Sequence, residues 1–421
     1  MPVPSNHQCP ECGGALPPLD GYTTWCQQCH WNLQPPKIEV QNTLINRLHL
    51  RFGNRLSKQL FDELLSSPDL RRSFSWSVGM AYILAGITHA VTVAFLVGGI
   101  ILLWVGWPNF WIILGGLIAI AIAFVTRPRI PKLPDDLIPR AELPALYSLI
   151  DDICARLGHK PIKGVRIDHS FNASYLVAGW GRHSIITIGL PLFSVLQPNE
   201  KVALLGHEIG HGVNGDNSRG MLIGSAIDSL DTWYGLVMPA GVFSSESGMP
   251  GIIMAPMNLL LMGIGGIIYS IMYSMLLLLF RRMQRAEYLA DDLAADAAGT
   301  EAELGSEQKL YFGDTYWFAA QRVALEASNL NFIDELHLQM QSIPDHEIER
   351  IQRVATMENS RLDATHPPTP LRFQFIASRP YRQPTVSITE QQAAAIEVEL
   401  QPYRELVHGW MINQYRNMIY D

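Results

Sequence analysis

The sequence predicts an α+β fold, mostly helical, that passes several times through a membrane. Three patterns carry this expectation. Long apolar runs cover residues 78–107, 110–125, 221–243 and 252–280 of a 421-residue chain. Residues 204–211 read Leu-Leu-Gly-His-Glu-Ile-Gly-His, two histidines four apart in an apolar helical stretch. Four of the five cysteines stand in two Cys-x-x-Cys pairs, Cys9 with Cys12 and Cys26 with Cys29.

Composition agrees with a chain that is partly in lipid. Hydrophobic residues make up 48% and charged ones only 17%, a balance that the apolar runs account for. The length suggests two or three units rather than one small core. A net charge of −8 argues against nucleic acid as the main partner. Residues 1–40 are polar, with Pro and Cys where a signal peptide needs an apolar core, so no secretory signal is expected.

In chain order, the cysteines follow Cys-x2-Cys-x13-Cys-x2-Cys, with Gly13-Gly14 after the first pair. Four thiolates at that spacing close a tetrahedral Zn²⁺ site and organise a segment too short for its own core. Residues 1–35 therefore read as a structural zinc ribbon in a reducing compartment. A redox dithiol would sit in a βαβ context, which is missing here. Cys154 is a buried small apolar residue on this reading. Residues 36–75 form a linker with an amphipathic helix over 44–65.

Residues 76–126 predict a transmembrane hairpin. The first run exceeds the roughly 20 apolar residues that span a bilayer, and Trp107-Pro108-Asn109 makes the turn. Arg71, Arg72, Arg127, Arg129 and Lys132 flank its outer ends and none lies in the turn, which puts both ends on the cytoplasmic side. Two buried core helices would need a polar face that neither run has. His89 reads as a packing or hydrogen-bonding residue within the span.

From residue 139 the composition turns soluble. A helix over 141–157 stops at Gly158, and strands are expected at 165–167, 173–178 and 184–188. Pro198-Asn199-Glu200 opens the next helix with Asn199 as its N-cap, and Gly212, Asn214 and Gly215 end it. The run 221–243 carries Asp228 and Asp231, each costing about 2.5–3.5 kcal/mol at a bilayer centre. The run 252–280 is followed by Arg281-Arg282. If metal ligands lie both before and after this region, the chain crosses an even number of times. Four spans are therefore expected, with both aspartates turned to a protein-lined interior; the alternative lays 221–243 on the membrane surface. The C-terminal segment, 381–421, reads as one or two amphipathic helices interrupted at Pro402.

The chemistry centres on residues 207–211. Positions four apart share a helix face, so His207 and His211 can hold one Zn²⁺, with Glu208 beside them to take a proton from water the metal has acidified. The apolar flanks disfavour a surface helix that merely contains two histidines. A third protein ligand is needed. The metzincin extension fails, because Asn214 and Asn217 stand where its glycine and third histidine belong. Asp216 is a possible ligand, but it follows helix-breaking glycines. Glu287 and Asp291 are better placed: they share a helix face, so one can bind metal while the other orients an imidazole.

These motifs resemble the integral-membrane zinc metallopeptidases that include HtpX and the type I CAAX prenyl proteases. The likeness rests on His207-Glu208-x-x-His211, on Glu287-x-x-x-Asp291 after apolar spans, and on Thr365-His366-Pro367-Pro368-Thr369 with Arg372. It covers roughly residues 75–380 and implies a zincin-like metallopeptidase domain over 139–380. It implies that His207, His211 and Glu287 bind the catalytic zinc and that Glu208 is the general base. Asp291 would support a ligand, and His366 and Arg372 would lie near the scissile carbonyl. Asn172 and Ala173 would begin an edge strand that pairs with substrate backbone, as in β-augmentation. The ribbon is a departure from the family's core pattern.

The expected protein is thus a multi-pass zinc endopeptidase with one catalytic and one structural zinc, its ribbon and active site on the cytoplasmic side. The resemblance suggests a bacterial inner membrane and damaged or misassembled membrane proteins as substrates; a prenylated tail would use the same residues. Two rivals are an inactive scaffold that recruits partners through the ribbon and a membrane-tethered nucleic-acid binder. Against the latter, the ribbon through Trp31 carries no Lys or Arg.

Overall fold

A computed structural model describes residues 8–17, 22–33, 44–66, 76–129, 131–238, 251–325, 327–357 and 367–420. The fold is mostly helical around one three-stranded sheet. Its soluble core begins with α4 (Pro144–Leu157, named in chain order after the three helices described below), which has Pro144 in its first turn and the left-handed Gly158 at its end. The helix buries Leu146, Leu149, Ile150 and Ile153. Strands β1 (Gly164–Asp168), β2 (Ala173–Ala178) and β3 (His183–Gly189) follow, in the order β1-β3-β2. β1 runs parallel to β3 and β2 antiparallel to it, with Ala173 opposite Ile188 and Tyr175 opposite Ile186. β2 is therefore an edge strand, with no strand on its other side among the described residues.

After α5 (Leu190–Val195) comes α6 (Pro198–Asn214), the helix of the two histidines. Its N-cap is Gln197 rather than Asn199: Gln197 and Glu200 exchange side-chain and backbone hydrogen bonds, and Pro198 takes the first helical position, where a missing N–H costs nothing. Every residue from Lys201 to Gly210 is buried, with Lys201 paired to Glu397. Gly215, left-handed at φ 68°, ends α6, and α7 (Asp216–Val237) begins at once.

α8 (Gly251–Ala298) is 48 residues long and unites two features the sequence separates, the last apolar run and the Glu287–Asp291 motif. At 1.5 Å per residue, Glu287 lies about 10 Å along the axis beyond the end of the apolar run at Phe280. Beyond it come α9 (Thr300–Lys309), a 3₁₀ turn at Leu310–Phe312, α10 (Gly313–Ala324), α11 (Phe332–Gln341), α12 (Asp345–Ala355), α13 (Thr369–Ser378) and α14 (Glu390–Tyr420). α14 runs unbroken through Pro402, contrary to the expected interruption. Its Ile396, Leu400, Val407 and Met411 belong to the same core as α4, α6 and the sheet, and that burial outweighs the lost backbone bond.

On the apolar side, α2 (Trp76–Val105) and the 251–298 helix, from Asn258 on, are the two described helices long and apolar enough to cross a membrane; α3 (Phe110–Val125) is shorter. Only 17% of the most apolar stretch of α2 is buried, so it does not pack as a core helix among the described residues. α7 packs Ile223, Ala226 and Leu230 against Ala81, Ala85, Ile268 and Met275. Asp228 and Asp231 do not turn into a protein interior as expected: both are exposed, because the apolar stripe of α7 takes the inward face. His89 sits 3.1 Å from the Leu222 carbonyl and 3.2 Å from Ser225 Oγ, a hydrogen-bonding role.

The helix of the linker and the cysteine-rich segment are packed onto this body. α1 (Leu44–Ser66) lays Leu60 and Leu64 against Tyr288 and Phe375, and its Glu63 pairs with Arg281 at 2.6 Å and Arg285 at 2.7 Å. The cysteine-rich segment docks on α12. Trp25, 0% exposed, stacks on His346 at 4.7 Å and lies under the Arg353 guanidinium. Arg353 also donates to the Gln27 carbonyl at 2.9 Å.

Candidate active site

The histidines of α6 meet the carboxylates of α8 because small residues let the two helices approach. A Cβ on Gly206 would lie 3.3 Å from the Ala294 Cα, and one on Gly210 would lie 3.1 Å from the Ala290 Cα. At such distances a side chain would push the axes apart. The close crossing brings His207, His211 and Glu287 together, with one ligand atom from each inside a 4.8 Å sphere of mutual distance. The two Nε2 atoms are 3.2 Å apart, and Glu287 oxygens lie 3.6 Å from His207 and 3.7 Å from His211. Bonds of 2.0–2.1 Å in a tetrahedron place ligand atoms about 3.3 Å apart, so this donor set fits zinc. For the cysteines, zinc–sulfur bonds of about 2.3 Å set sulfurs about 3.8 Å apart, close to what is found. Cys9 and Cys29 sulfurs are 3.4 Å apart, Cys12 and Cys26 sulfurs 3.5 Å, and all four lie within 4.8 Å of one another.

Behind His207 stands Asp291, 0% exposed. Its Oδ1 lies 2.9 Å from His207 Nδ1, so the ring donates there and keeps its Nε2 lone pair for a metal. Arg372, on α13 and 4% exposed, donates from Nε to Asp291 Oδ2 at 3.0 Å and from Nη2 to Glu307 at 2.8 Å. Burial alone would raise the Asp291 pKa, but Arg372 and His207 outweigh it and hold the carboxyl well below its usual range. Burial likewise opposes charge on Arg372, and Asp291 and Glu307 more than restore it.

A cleft of about 520 Å³ opens over these groups, lined by Glu208, His207 and His211 on its floor. Asn172, Ala173, Ser174 and Tyr175 form one wall, where β2 presents its edge. Glu303, Ser306, Glu307, Thr369 and Arg372 form the other. Arg372 thus lines the cleft with its guanidinium engaged by Asp291 and Glu307. His366 lies outside the described residues, as does the side chain of Asp216.

Sequence reasoning missed Glu303 and Glu307. Both are buried on α9, where burial pushes Glu307 up to about 8 against the pull of Arg372, and burial with Asp291 and Glu307 beside it raises Glu303 well above the ordinary carboxylate value. Their four-residue spacing is the only signal in the sequence, and it is shared by any solvated acidic helix face.

A family model for peptidase family M48 matches residues 146–380. A "Protease HtpX homolog" of Pyrobaculum calidifontis is 27% identical over 312 residues, 71% of this chain and 82% of that protein. One from Pyrobaculum aerophilum is 28% identical over 55% of this chain and 67% of its own length. A "Protease HtpX" of Pseudomonas putida is 28% identical over 39% of this chain and 55% of its own length. No solved structure matches.

Proposed function

The chain belongs to peptidase family M48 and is an HtpX-like membrane metalloprotease, and from that premise we propose the roles of its residues and its place in the cell. His207, His211 and Glu287 hold the catalytic zinc, and Cys9, Cys12, Cys26 and Cys29 a structural one. Bound zinc supplies a Lewis acid that acidifies water and polarises the peptide carbonyl. Glu208, on the cleft floor, takes the proton of the attacking water and passes it to the leaving amine. Asp291 fixes the tautomer and tilt of His207, and Arg372 acts through Asp291 as a positioning residue. His366 keeps the helper role near the scissile carbonyl that the resemblance gives it. The edge of β2, from Asn172 and Ala173, pairs with an extended substrate by main-chain hydrogen bonds.

The carrying observation is the convergence of two imidazoles and a carboxylate from two helices beneath a cleft with a strand edge.

The same geometry supports a multi-pass arrangement. The ligands on α6 and at the end of α8 lie on one side of the membrane on this reading, so if the apolar part of α8 crosses, the chain between Asn214 and that part must cross as well. Asp228 and Asp231, exposed on α7, then face water or another protein rather than lipid, because charge at a bilayer centre is too costly. The basic flanks of α2–α3 support a cytoplasmic active site and ribbon, and the likeness to HtpX supports a bacterial inner membrane. Glu287 about 10 Å beyond the apolar end of its own helix suits damaged or misassembled membrane proteins as substrates. Glu208→Gln should keep both zincs and lose cleavage of an unfolded membrane protein in detergent; full activity in that variant would remove the assignment.

A further inference from the structure

The turn between β2 and β3 carries an aromatic ring that the rest of the protein leaves in the open. Trp180 is 90% exposed, more than any other large apolar side chain among the described residues. It stands in a closed turn: the Arg182 N–H donates to the Gly179 carbonyl at 3.0 Å, and Gly179 is left-handed at φ 72°. That turn is fastened to the chain leaving α3, because the Gly179 N–H donates to the Pro131 carbonyl at 2.8 Å. Leu133, 39% exposed, lies beside it, with its Cβ 4.0 Å from where a Cβ on Gly179 would be.

α3 has 16 residues, about 24 Å, less than the roughly 30 Å of a bilayer core. The residues that follow it therefore begin at the lipid surface. Arg127 and Arg129 hold to its end, donating to the Phe124 carbonyl at 2.5 Å and the Val125 carbonyl at 3.2 Å. From Val125 to Pro131 the chain reaches at most about 20 Å, which keeps the turn near that surface. Lys132, Lys163 and Arg182 are exposed at the same end of the sheet, where the Lys163 N–H donates to the Ser184 carbonyl at 2.8 Å. Asp136 is held by Arg166 at 2.6 Å, which leaves Asp135 as the opposing charge on the stretch after α3.

We propose that the Trp180 turn, with Leu133 and the basic residues around it, docks on the anionic headgroups of the membrane that α2 and α3 enter. The proposal rests on the membrane placement of those helices. Tryptophan favours the boundary between lipid and water, where lysine and arginine lay their stems along apolar surface and keep their charges wet. A negatively charged leaflet attracts each Lys or Arg near it. Docking there also serves the reaction. β2 runs about 20 Å from Gly179 to Ala173 at the cleft, so its edge joins the lipid surface to the wall of the active site. A polypeptide segment leaving the bilayer beside Trp180 meets that edge directly.

The test places the full chain with zinc in nanodiscs of phosphatidylcholine, with or without phosphatidylglycerol. Subtracting the tryptophan emission of Trp180→Phe from that of the parent isolates one ring of the ten. In anionic discs this difference emission is expected at the shorter wavelengths of a ring in lipid. It should lose most of its intensity when the lipids carry bromine on acyl carbons next to the headgroup. Lys132→Gln and Arg182→Gln should each lower the docked-to-free ratio about five-fold, about 1 kcal/mol. Difference emission untouched by brominated lipid overturns the proposal, whether the ring is then open to iodide, as in water, or shielded from it, as against another protein. Equal quenching in neutral and anionic discs overturns it too, because charge then has no part. The emission left in Trp180→Phe includes Trp76, Trp104, Trp107 and Trp111 of the α2–α3 hairpin. If brominated lipid leaves that emission unquenched as well, the membrane placement has failed and not the docking alone.

Discussion

Asp291 is the residue whose removal should cost most outside the ligands themselves. It is fully enclosed and accepts from His207 Nδ1 at 2.9 Å and from two nitrogens of Arg372, one of them at 3.0 Å. Alanine there strands a buried guanidinium that keeps Glu307 as its remaining carboxylate among the described residues. Breaking a buried pair from one side costs about 3–5 kcal/mol. It also frees the His207 ring to turn, and loss of such a support weakens metal binding about 10- to 100-fold. The pH dependence has a fixed sign. Arg372 and His207 hold the folded pKa of Asp291 below its unfolded value of about 3.9, so the stabilisation is fully present above that value and fades as pH falls toward the folded one. Asp291→Ala should therefore lower stability at neutral pH and flatten the acid limb of the stability curve. Denaturation of zinc-free protein in detergent measures the first effect, and competition with a chromophoric chelator measures zinc affinity. A variant within about 0.5 kcal/mol of the parent, the level of an ordinary surface substitution, with unchanged zinc affinity would refute the reasoning.

Other consequences are as direct. Gly210→Ala puts a methyl group 3.1 Å from the Ala290 Cα, so it should separate α6 from α8, weaken zinc binding about 10-fold or more and lower the melting temperature, as competition and thermal scans would record. Cys9→Ser and His207→Ala should each reduce the zinc count from two to one, read by elemental analysis. Trp25→Ala removes a fully buried ring stacked on His346; the stability loss should be about 3–5 kcal/mol, with earlier proteolysis near α12 as the readout. Burial pushes the Cys154 thiol up to about 12, so it should resist alkylation at pH 8 in folded protein and react once denatured.

Much of this molecule is written locally. The places of the three strands, to within a residue at each end, the stop at Gly158 and the fit of His207 and His211 to one metal follow from period, punctuation and four-residue spacing, each a property of a few neighbouring residues. The cysteine spacing likewise carries its donor set within one short segment. What local pattern could not carry was which polar groups end up inside. Glu303 and Glu307 look like any acidic helix face, yet packing encloses them, while Asp228 and Asp231, expected inside, stay out because the apolar stripe of α7 claimed the inward face. Pro402 should break a helix, and core contacts on both sides of it keep α14 whole. Propensity and spacing act over one or two turns, whereas burial is settled by elements far apart in the chain. The approach of α6 to α8 through Gly206 and Gly210 is the plainest case. Their sequence shows only two small residues, and it is the facing Ala290 and Ala294, some eighty positions on, that turn them into a centre able to hold a metal.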